Sequence, residues 1–255
     1  MNELPFKLGR GPVKRLEKVP AFGDFLAKAS EWPAPPARGW EYAVPTSELE
    51  MLGNDQYGDC AAAGAMHLIQ SSTYNSGYKL RGTLQQTLDL YSAVTGFNPK
   101  DPNTDQGTVL IDLLYYWRDQ GIKVTDANGR VVIHKILGWA SLDLSSVAQY
   151  RYASDTFGGT YLGINCPRNY IENTDDWIYD PKSPIEGGHC INGVGQGRIG
   201  FHVQTWGRNV PGKWNALLSV LEEGYVVVSE MWVRAQSKSP SGLDLNGLLD
   251  AMKKL

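Results

Sequence analysis

The chain is poor in cysteine, has little excess charge of either sign and contains no long apolar run, and each shortage removes a class of explanation. Only Cys60, Cys166 and Cys190 occur in 255 residues. None belongs to a CxxC pair, so neither a disulfide framework nor a zinc ribbon is indicated. Twenty-four basic against 27 acidic residues give a net charge of −3. That leaves no basic surface for nucleic acid or for an anionic membrane. No segment approaches the ~20 apolar residues that a spanning helix needs. The opening MNELPFKLGRGPVKRLEKVP has no apolar core of a secretory signal. No internal repeat or low-complexity tract is present. The expectation is a protein of the reducing cytoplasm or of a particle assembled there, with no membrane or nucleic-acid partner and no cofactor or metal.

What is present is ordinary globular material, with 42% hydrophobic residues, 28 glycines and 14 prolines. Residues 1–42 form a Pro-rich arm with a short helix expected at Gly23–Ser30. Its Phe6, Leu8, Phe22, Phe25, Leu26, Trp32 and Trp40 make it too apolar for a free tail, so it should pack on the body. Three helices are predicted next, over 59–72 with Asp59 as N-cap, 83–96 between Thr83 and Gly96, and 108–121, apolar nearly all round. Beyond residue 121 the period changes to two and β-branched residues dominate, as in GRVVIHKILGWASL, GGTYLGINC, HCINGVGQG, GFHVQTWG and GYVVVSEMWV. One late helix, WNALLSVLEEG, interrupts these strands. Helices first and strands second argue for an α+β fold. The domain is placed at 43–233, its halves near 43–121 and 122–233. Residues 234–255 read as an amphipathic tail with Leu245, Leu248, Leu249, Met252 and Leu255 on one helical face.

The segment NDQYGDCAAAGAMH sets a cysteine at the head of a helix, where the positive end of the helix dipole favours thiolate. A thiol nucleophile also needs a base, an orienter for that base and donors for an oxyanion. His189, 129 positions after Cys60, follows two glycines on a predicted strand, and Gln204 and Trp206 lie on the next. Here the chain resembles the papain-like cysteine proteases. Asn54-Asp55-Gln56-Tyr57-Gly58-Asp59-Cys60-Ala61 stands against the family's Gln-Gly-x-Cys-Gly-[Ser/Ala]-Cys-[Trp/Tyr]. Gly188-His189-Cys190-Ile191-Asn192-Gly193-Val194-Gly195-Gln196-Gly197 matches its histidine strand, and Gln204-Thr205-Trp206-Gly207 its Asn-Ser-Trp-Gly. The Cys-to-His separation is at the edge of the family's range of roughly 130–150 residues.

The resemblance implies a papain-like α+β fold, with a helical left half, an antiparallel β-rich right half and the cleft between them. It implies Cys60 as nucleophile and His189 as general base. Gln204 would orient the imidazole under the cover of Trp206, and the Asn54 amide with the Cys60 N–H would form the oxyanion hole. Gly107, Gly188 and Trp206 would lie along a bound peptide. Asn54 and Gln204 each exchange Asn and Gln relative to the family, Ala61 replaces an aromatic, and Asp59 is an acidic neighbour of the thiol. The arm and tail also resemble those of a group of papain-like proteins of bacteria and bacteriophages.

Blander readings hold elsewhere. Cys166 and Cys190 sit in apolar strands and read as packing. His67 falls on the face of Cys60 two turns on and reads as buried and bonded, whereas His134 and His202 alternate with apolar residues and read as facing solvent or a partner strand. Gly195–Gly200 spells G-x-G-x-x-G, but a strand follows where a dinucleotide site needs a helix. Asp101–Asp105 opens like a calcium loop yet has Gln106 at the required glycine, so it reads as a surface loop. Tyr115-Tyr116-Trp117 reads as core. Two functions follow: a peptide or amide hydrolase working through a thioester, or a papain-like scaffold that binds assembly partners, possible in a virion, through the arm and the C-terminal helix. The arm itself reads either as a fixed strap or as an inhibitory segment lying across the cleft.

Overall fold

The computed structural model describes residues 4–15, 19–26, 44–74, 79–196 and 200–231. The amphipathic tail, the WPAPPARGW stretch and the end of the Gly23–Ser30 helix therefore lie outside the described residues. Within the arm, a short helix α1 spans Phe22–Leu26. The helical part follows as α2 (Cys60–Tyr74), α3 (Leu84–Thr95) and α4 (Leu110–Asp119). Helix α3 begins on a capping box, Thr83 accepting from the Gln86 amide while Gln86 Oε1 accepts from the Thr83 amide, and it ends on Gly96 at φ 78°.

Strands β1 (Ile122–Thr125) and β2 (Val131–His134) form a hairpin. The main sheet comprises β3 (Ile136–Ser141), β4 (Thr160–Pro167), β5 (Ile185–Gln196), β6 (Gly200–Thr205), β7 (Arg208–Lys213) and β8 (Leu221–Ser229). Its order is β3-β8-β4-β5-β6-β7, antiparallel throughout. Strand β5 pairs antiparallel with β6, and residues 197–199 of the G-x-G-x-x-G stretch between them lie outside the described residues.

Two findings correct the sequence reading. A helix α5 (Val147–Phe157) was not anticipated; Ser146 caps it, Gly158 ends it in the left-handed region, and Tyr150, Ala153, Ser154 and Phe157 form its buried stripe. The late helix is only the short segment Trp214–Leu218, because Leu221–Ser229 is strand. Tyr225 and Val227 pack on the helical side of the sheet and Val226 and Val228 on the other, so VVV runs apolar without alternation.

The sheet divides two cores. On one face Leu162, Ile164, Cys166, Ile191, Phe201 and Val203 pack with Phe157, Trp177 and Phe22. On the other, Tyr161, Cys190, Tyr225 and Val227 meet α2, α3 and α4. Helix α2 lies on this second face and is pinned there by side chains of three strands. Tyr161 Oη donates to the Ala61 carbonyl (2.7 Å), Asn192 Nδ2 to the Gly64 carbonyl (2.7 Å), and Ser71 Oγ to Gln204 Oε1 (2.6 Å). Gly64 permits the contact, since a Cβ there would lie 3.0 Å from Cys190 Sγ. This packing fixes the start of α2, and with it Cys60, beside β5.

Candidate active site

Cys60 is the first residue of α2 and is 1% exposed. The loop before it turns at Leu52 (φ 58°) and Gly53 (φ 100°), and the amides of Gln56 and Tyr57 both donate to the Gly53 carbonyl. Both Asp105 carboxylate oxygens accept from the Gly58 amide, and Tyr91 Oη donates to the same carboxylate. Asp59 does not cap α2 as expected. Its carboxylate oxygens are buried without a hydrogen-bond partner, and burial, with the charge of Asp105, pushes its pKa up to about 8. At neutral pH it is largely a carboxylic acid, which removes most of the negative charge beside the thiol.

His189 lies near the middle of β5, 1% exposed, with its ring stacked on Trp206 at 4.4 Å between centroids and 16° between planes. Its Nε2 is 2.6 Å from Thr205 Oγ1, and its Nδ1 is buried with no hydrogen-bond partner. The ring partner is thus Thr205, not Gln204. Successive strand residues point to opposite faces. Gln204, paired with Asn192 across the strands, faces α2 and accepts from Ser71, while Thr205 faces the imidazole. Alternation lets either Gln204 or Thr205 reach the ring but not both, and the register of β5 with β6 decides which. With the proton on Nε2 donating to Thr205, Nδ1 carries the basic lone pair. Trp206 (φ 47°) and Gly207 (φ 67°) make the two-residue turn from β6 to β7. A non-glycine residue in that conformation is held by packing, with Phe6 stacked on Trp206 at 4.7 Å.

Phe6 belongs to the arm, which runs through the cleft. The Lys7 amide donates to the Asn54 carbonyl (3.1 Å), and Asn54 Nδ2 donates to the Lys7 carbonyl (3.3 Å). The Thr108 amide donates to the Gly9 carbonyl (2.7 Å), the Arg10 amide to the Gly188 carbonyl (2.9 Å) and the Gly11 amide to the Thr108 carbonyl (2.8 Å). Gly107, at φ 74°, leaves room for this strand, because a Cβ there would be 2.2 Å from the Gly9 carbonyl oxygen. The residues expected along a bound peptide, Gly107, Gly188 and Trp206, and the expected oxyanion donor Asn54 therefore border residues 6–10 of the same chain. Arg10 and Gly9 were not singled out from sequence.

This cover sets the electrostatics. Burial pushes the Cys60 thiol up to about 12, although backbone hydrogen bonding from Cys190 and Gly9 works the other way. The depressed thiol pKa expected from the helix dipole is thus overturned in this state. Burial lowers the His189 pKa to about 3, with the Arg10 charge adding to it. No hydrogen bond joins Cys60 to His189 among the described residues, and both groups are neutral.

His67 and His134 are bonded inside the fold, and His202 is half-buried on β6. His67 Nε2 bonds the Glu50 carbonyl at 2.9 Å, as its position on α2 suggested. His134 was expected at the surface or a partner strand; it is instead buried, accepting from Trp117 Nε1 (3.0 Å) and paired with Ser229 Oγ (2.9 Å). Of the aromatic triplet, Trp117 is core while Tyr115 is exposed. Among the described residues no group of three or more His, Cys, Asp or Glu is placed to hold a metal, and no helix is long and apolar enough to cross a membrane.

No protein-family model matches the sequence, and no curated relative matches it. Solved structures do. Xylellain, a cysteine protease from Xylella fastidiosa, is 11% identical with a TM-score of 0.66, over 89% of this chain and 98% of that one. Procathepsin B S9 from Trypanosoma congolense is 14% identical at 0.62, over 88% and 86%. Digestive procathepsin L2 from Tenebrio molitor larval midgut is 14% identical at 0.58, over 83% and 74%. The chain has a divergent papain-like fold.

Proposed function

We propose that the protein is a cysteine peptidase held latent by its own arm. The carrying observation is that residues 7–11 lie as an extended peptide hydrogen-bonded to Asn54, Thr108 and Gly188, with Gly9 over Cys60. A cleft that binds backbone on both sides beside a thiol and an imidazole is equipped for peptides. Two of the neighbouring structures are named as pro-enzymes, which fits a reading in which a segment of the same chain covers the site.

With the arm displaced, water returns to the thiol, the burial that raises its pKa falls away, and the helix dipole acts on it. His189 Nδ1 takes the Cys60 proton, and the sulfur attacks the peptide carbonyl. The tetrahedral oxyanion is met by donors at Asn54 Nδ2 and the Cys60 amide. The C–N bond then breaks, the amine leaving with the proton from His189 and the acyl group remaining as a thioester. Water, deprotonated by His189, hydrolyses that thioester and returns the thiol. Thr205 holds the ring through Nε2, in the role the resemblance gave to Gln204.

The test is hydrolysis of an internally quenched peptide mixture by the full chain carrying a substitution that displaces the arm, beside its Cys60→Ala counterpart. Turnover that Cys60→Ala abolishes supports the peptidase. A displaced arm with alkylatable Cys60 and no turnover overturns it in favour of a binding scaffold. The partnering of Gln204 with Ser71, away from the imidazole, is the observation that favours that second reading.

A further inference from the structure

One part of the arm is held by far more than backbone. The Arg10 side chain is 5% exposed and its guanidinium is met on every edge. Nη1 lies 3.3 Å from Glu223 Oε1 and 3.2 Å from the Gly11 carbonyl oxygen, Nη2 3.1 Å from Asn165 Oδ1, and Nε 3.4 Å from the Ile164 carbonyl oxygen. Glu223, 3% exposed at its side chain, is in turn fixed by Tyr225 Oη, which donates to Oε2 at 2.8 Å. Space for the side chain comes from a glycine. A Cβ at Gly163 would lie 2.6 Å from both Arg10 Cδ and Glu223 Cγ. The pocket is thus lined from the adjacent strands β4 and β8, independently of the arm's backbone bonds.

Of its acceptors, only the Gly11 carbonyl belongs to the arm; Glu223, Asn165 and the Ile164 carbonyl belong to the body. When the arm leaves, the Glu223 carboxylate, the Asn165 amide oxygen and the Ile164 carbonyl stay positioned by β4 and β8 to receive another cation of the same shape. Burial already raises the Glu223 pKa, against Tyr225 and Arg10, which lower it. The site is also close to the reacting atoms, since Arg10 follows Gly9, which covers Cys60, and its amide binds Gly188, next to His189. From this geometry we infer that the pocket of Glu223, Asn165 and the Ile164 carbonyl is a specificity pocket of the cleft, selecting an arginine side chain one residue from the peptide unit presented to Cys60. The three divergent contacts of the fork exclude a single-point lysine ammonium from full satisfaction, and an aliphatic side chain leaves Glu223 unpaired. The arm occludes the cleft partly by supplying that arginine itself.

The substrate-selecting role rests on the peptidase reading, and the experiment separates the two. Full-length chain carrying Gly9→Ala, to displace the arm, is given quenched peptides Gly-Gly-X-Gly-Gly-Gly with X as Arg, Lys, Leu or Glu, and the cut site is read by mass spectrometry. The expected kcat/KM for Arg exceeds that for Leu by about 30-fold or more, with Lys between them. Glu223→Gln and Asn165→Ala each reduce the Arg peptide by about 10-fold while sparing the Leu peptide. In parallel, full-length chain carrying Gly9→Ala and Arg10→Ala is titrated calorimetrically with acetyl-Leu-Gly-Arg-Gly-Pro amide and its Arg→Leu analogue. Preferential binding of the arginine peptide, lost with Glu223→Gln, supports the pocket even if nothing is cleaved, in which case only the peptidase reading fails. Cleavage without arginine preference, or equal binding of the two peptides, overturns the pocket and leaves the peptidase reading standing.

Discussion

Gly9→Ala is the sharpest perturbation of the arm, because no flexible neighbour can yield to it. A methyl group at Gly9 would sit 1.9 Å from the Gly58 carbonyl oxygen, 2.3 Å from its carbon and 2.4 Å from Gly58 Cα, all backbone. The shortfall from ordinary contact is about 1.5 Å, and a shift of that size takes hydrogen bonds of 2.7–2.9 Å beyond useful range. The bonds nearest Gly9 are Thr108 N–H to the Gly9 carbonyl and Arg10 N–H to the Gly188 carbonyl. At a net 0.5–1.5 kcal/mol each, their loss weakens arm docking by about 1–3 kcal/mol. That raises the arm-open population about 5- to 150-fold. Alkylation of buried Cys60 goes through the open state, so its rate should rise by the same factor when reclosing is fast. The assay is iodoacetamide labelling at pH 7.5 with mass-spectrometric readout at each cysteine, Cys166 and Cys190 serving as internal controls because both stay buried in the body. Gly11→Ala is the milder comparison, since a Cβ there would lie 3.1 Å from Val109 Cγ2 and 3.2 Å from the Thr108 carbonyl carbon and the Val109 nitrogen, a few tenths of an ångström short of ordinary contact. Unchanged Cys60 labelling in a folded Gly9→Ala protein, or an equal rise at all three cysteines, would refute the claim that the arm gates this thiol.

Thr205→Val removes the hydrogen bond to the His189 ring and should lower kcat by about 10- to 100-fold, with Thr205→Ser restoring most of it; a pH-rate profile whose basic limb moves only in the valine variant distinguishes ring positioning from a general loss of packing. Acid should destabilise the fold between pH 6.5 and 4. His67, His134 and His189 have folded pKa values lowered to about 4, 3 and 3, so the unfolded chain takes up protons first and stability falls as pH drops below 6.5. Asp59, raised to about 8, works oppositely, being protonated in the fold and ionised in the unfolded chain over that window. Asp155 and Glu223, whose pKa values burial also raises, oppose the loss too, so the net loss stays below about 3 kcal/mol per pH unit, and a urea midpoint that does not move between pH 7 and 5 contradicts the assignment. Phe157→Ala, in the core between α5, Phe22 and the sheet, should cost about 3–5 kcal/mol by urea denaturation.

The helices with explicit punctuation were legible because their end signals are local. Thr83, Gln86 and Gly96 fix α3 whatever surrounds it. The missed α5 had the same grammar, Ser146 before it and Gly158 after it, but lay in a region otherwise of strand periodicity. The late helix was overextended because Leu-Glu-Glu-Gly carries no helix stop before β8 takes over, and the burial of both faces of Tyr225–Val228 erases the alternation that marks a strand. At the site, Cys60 and His189 were legible from type and spacing. The choice between Gln204 and Thr205 was not, because it depends on which sheet face the imidazole occupies, a single-residue matter of register. Arg10 and Glu223 are 213 positions apart and neither sits in a motif, so their pairing is a property of the fold alone.

The same distinction explains why the thiol argument from sequence failed in direction. Helix position is a local property, and at the first turn the dipole favours a charged sulfur by about 0.3–1 kcal/mol, up to ~2 when partly buried. Desolvation is set by whatever covers the sulfur, and for a fully buried group it moves a pKa by several units, each about 1.4 kcal/mol. Where the two oppose, desolvation wins, and the sulfur here is enclosed by the core beside α2, with Gly9 of the arm among the groups that reach it. Cys60 is therefore held as a thiol by its burial, against the pull of its own helix. Burial likewise keeps His189 neutral, with Arg10 placing positive charge beside it. Under the proposed latency, withdrawal of the arm opens the thiol to solvent and removes the Arg10 guanidinium from beside His189 in one movement. The helix dipole and the unbonded Nδ1 are then left to act on a solvated thiol, so the device that suppresses reactivity is separable from the groups that would carry it.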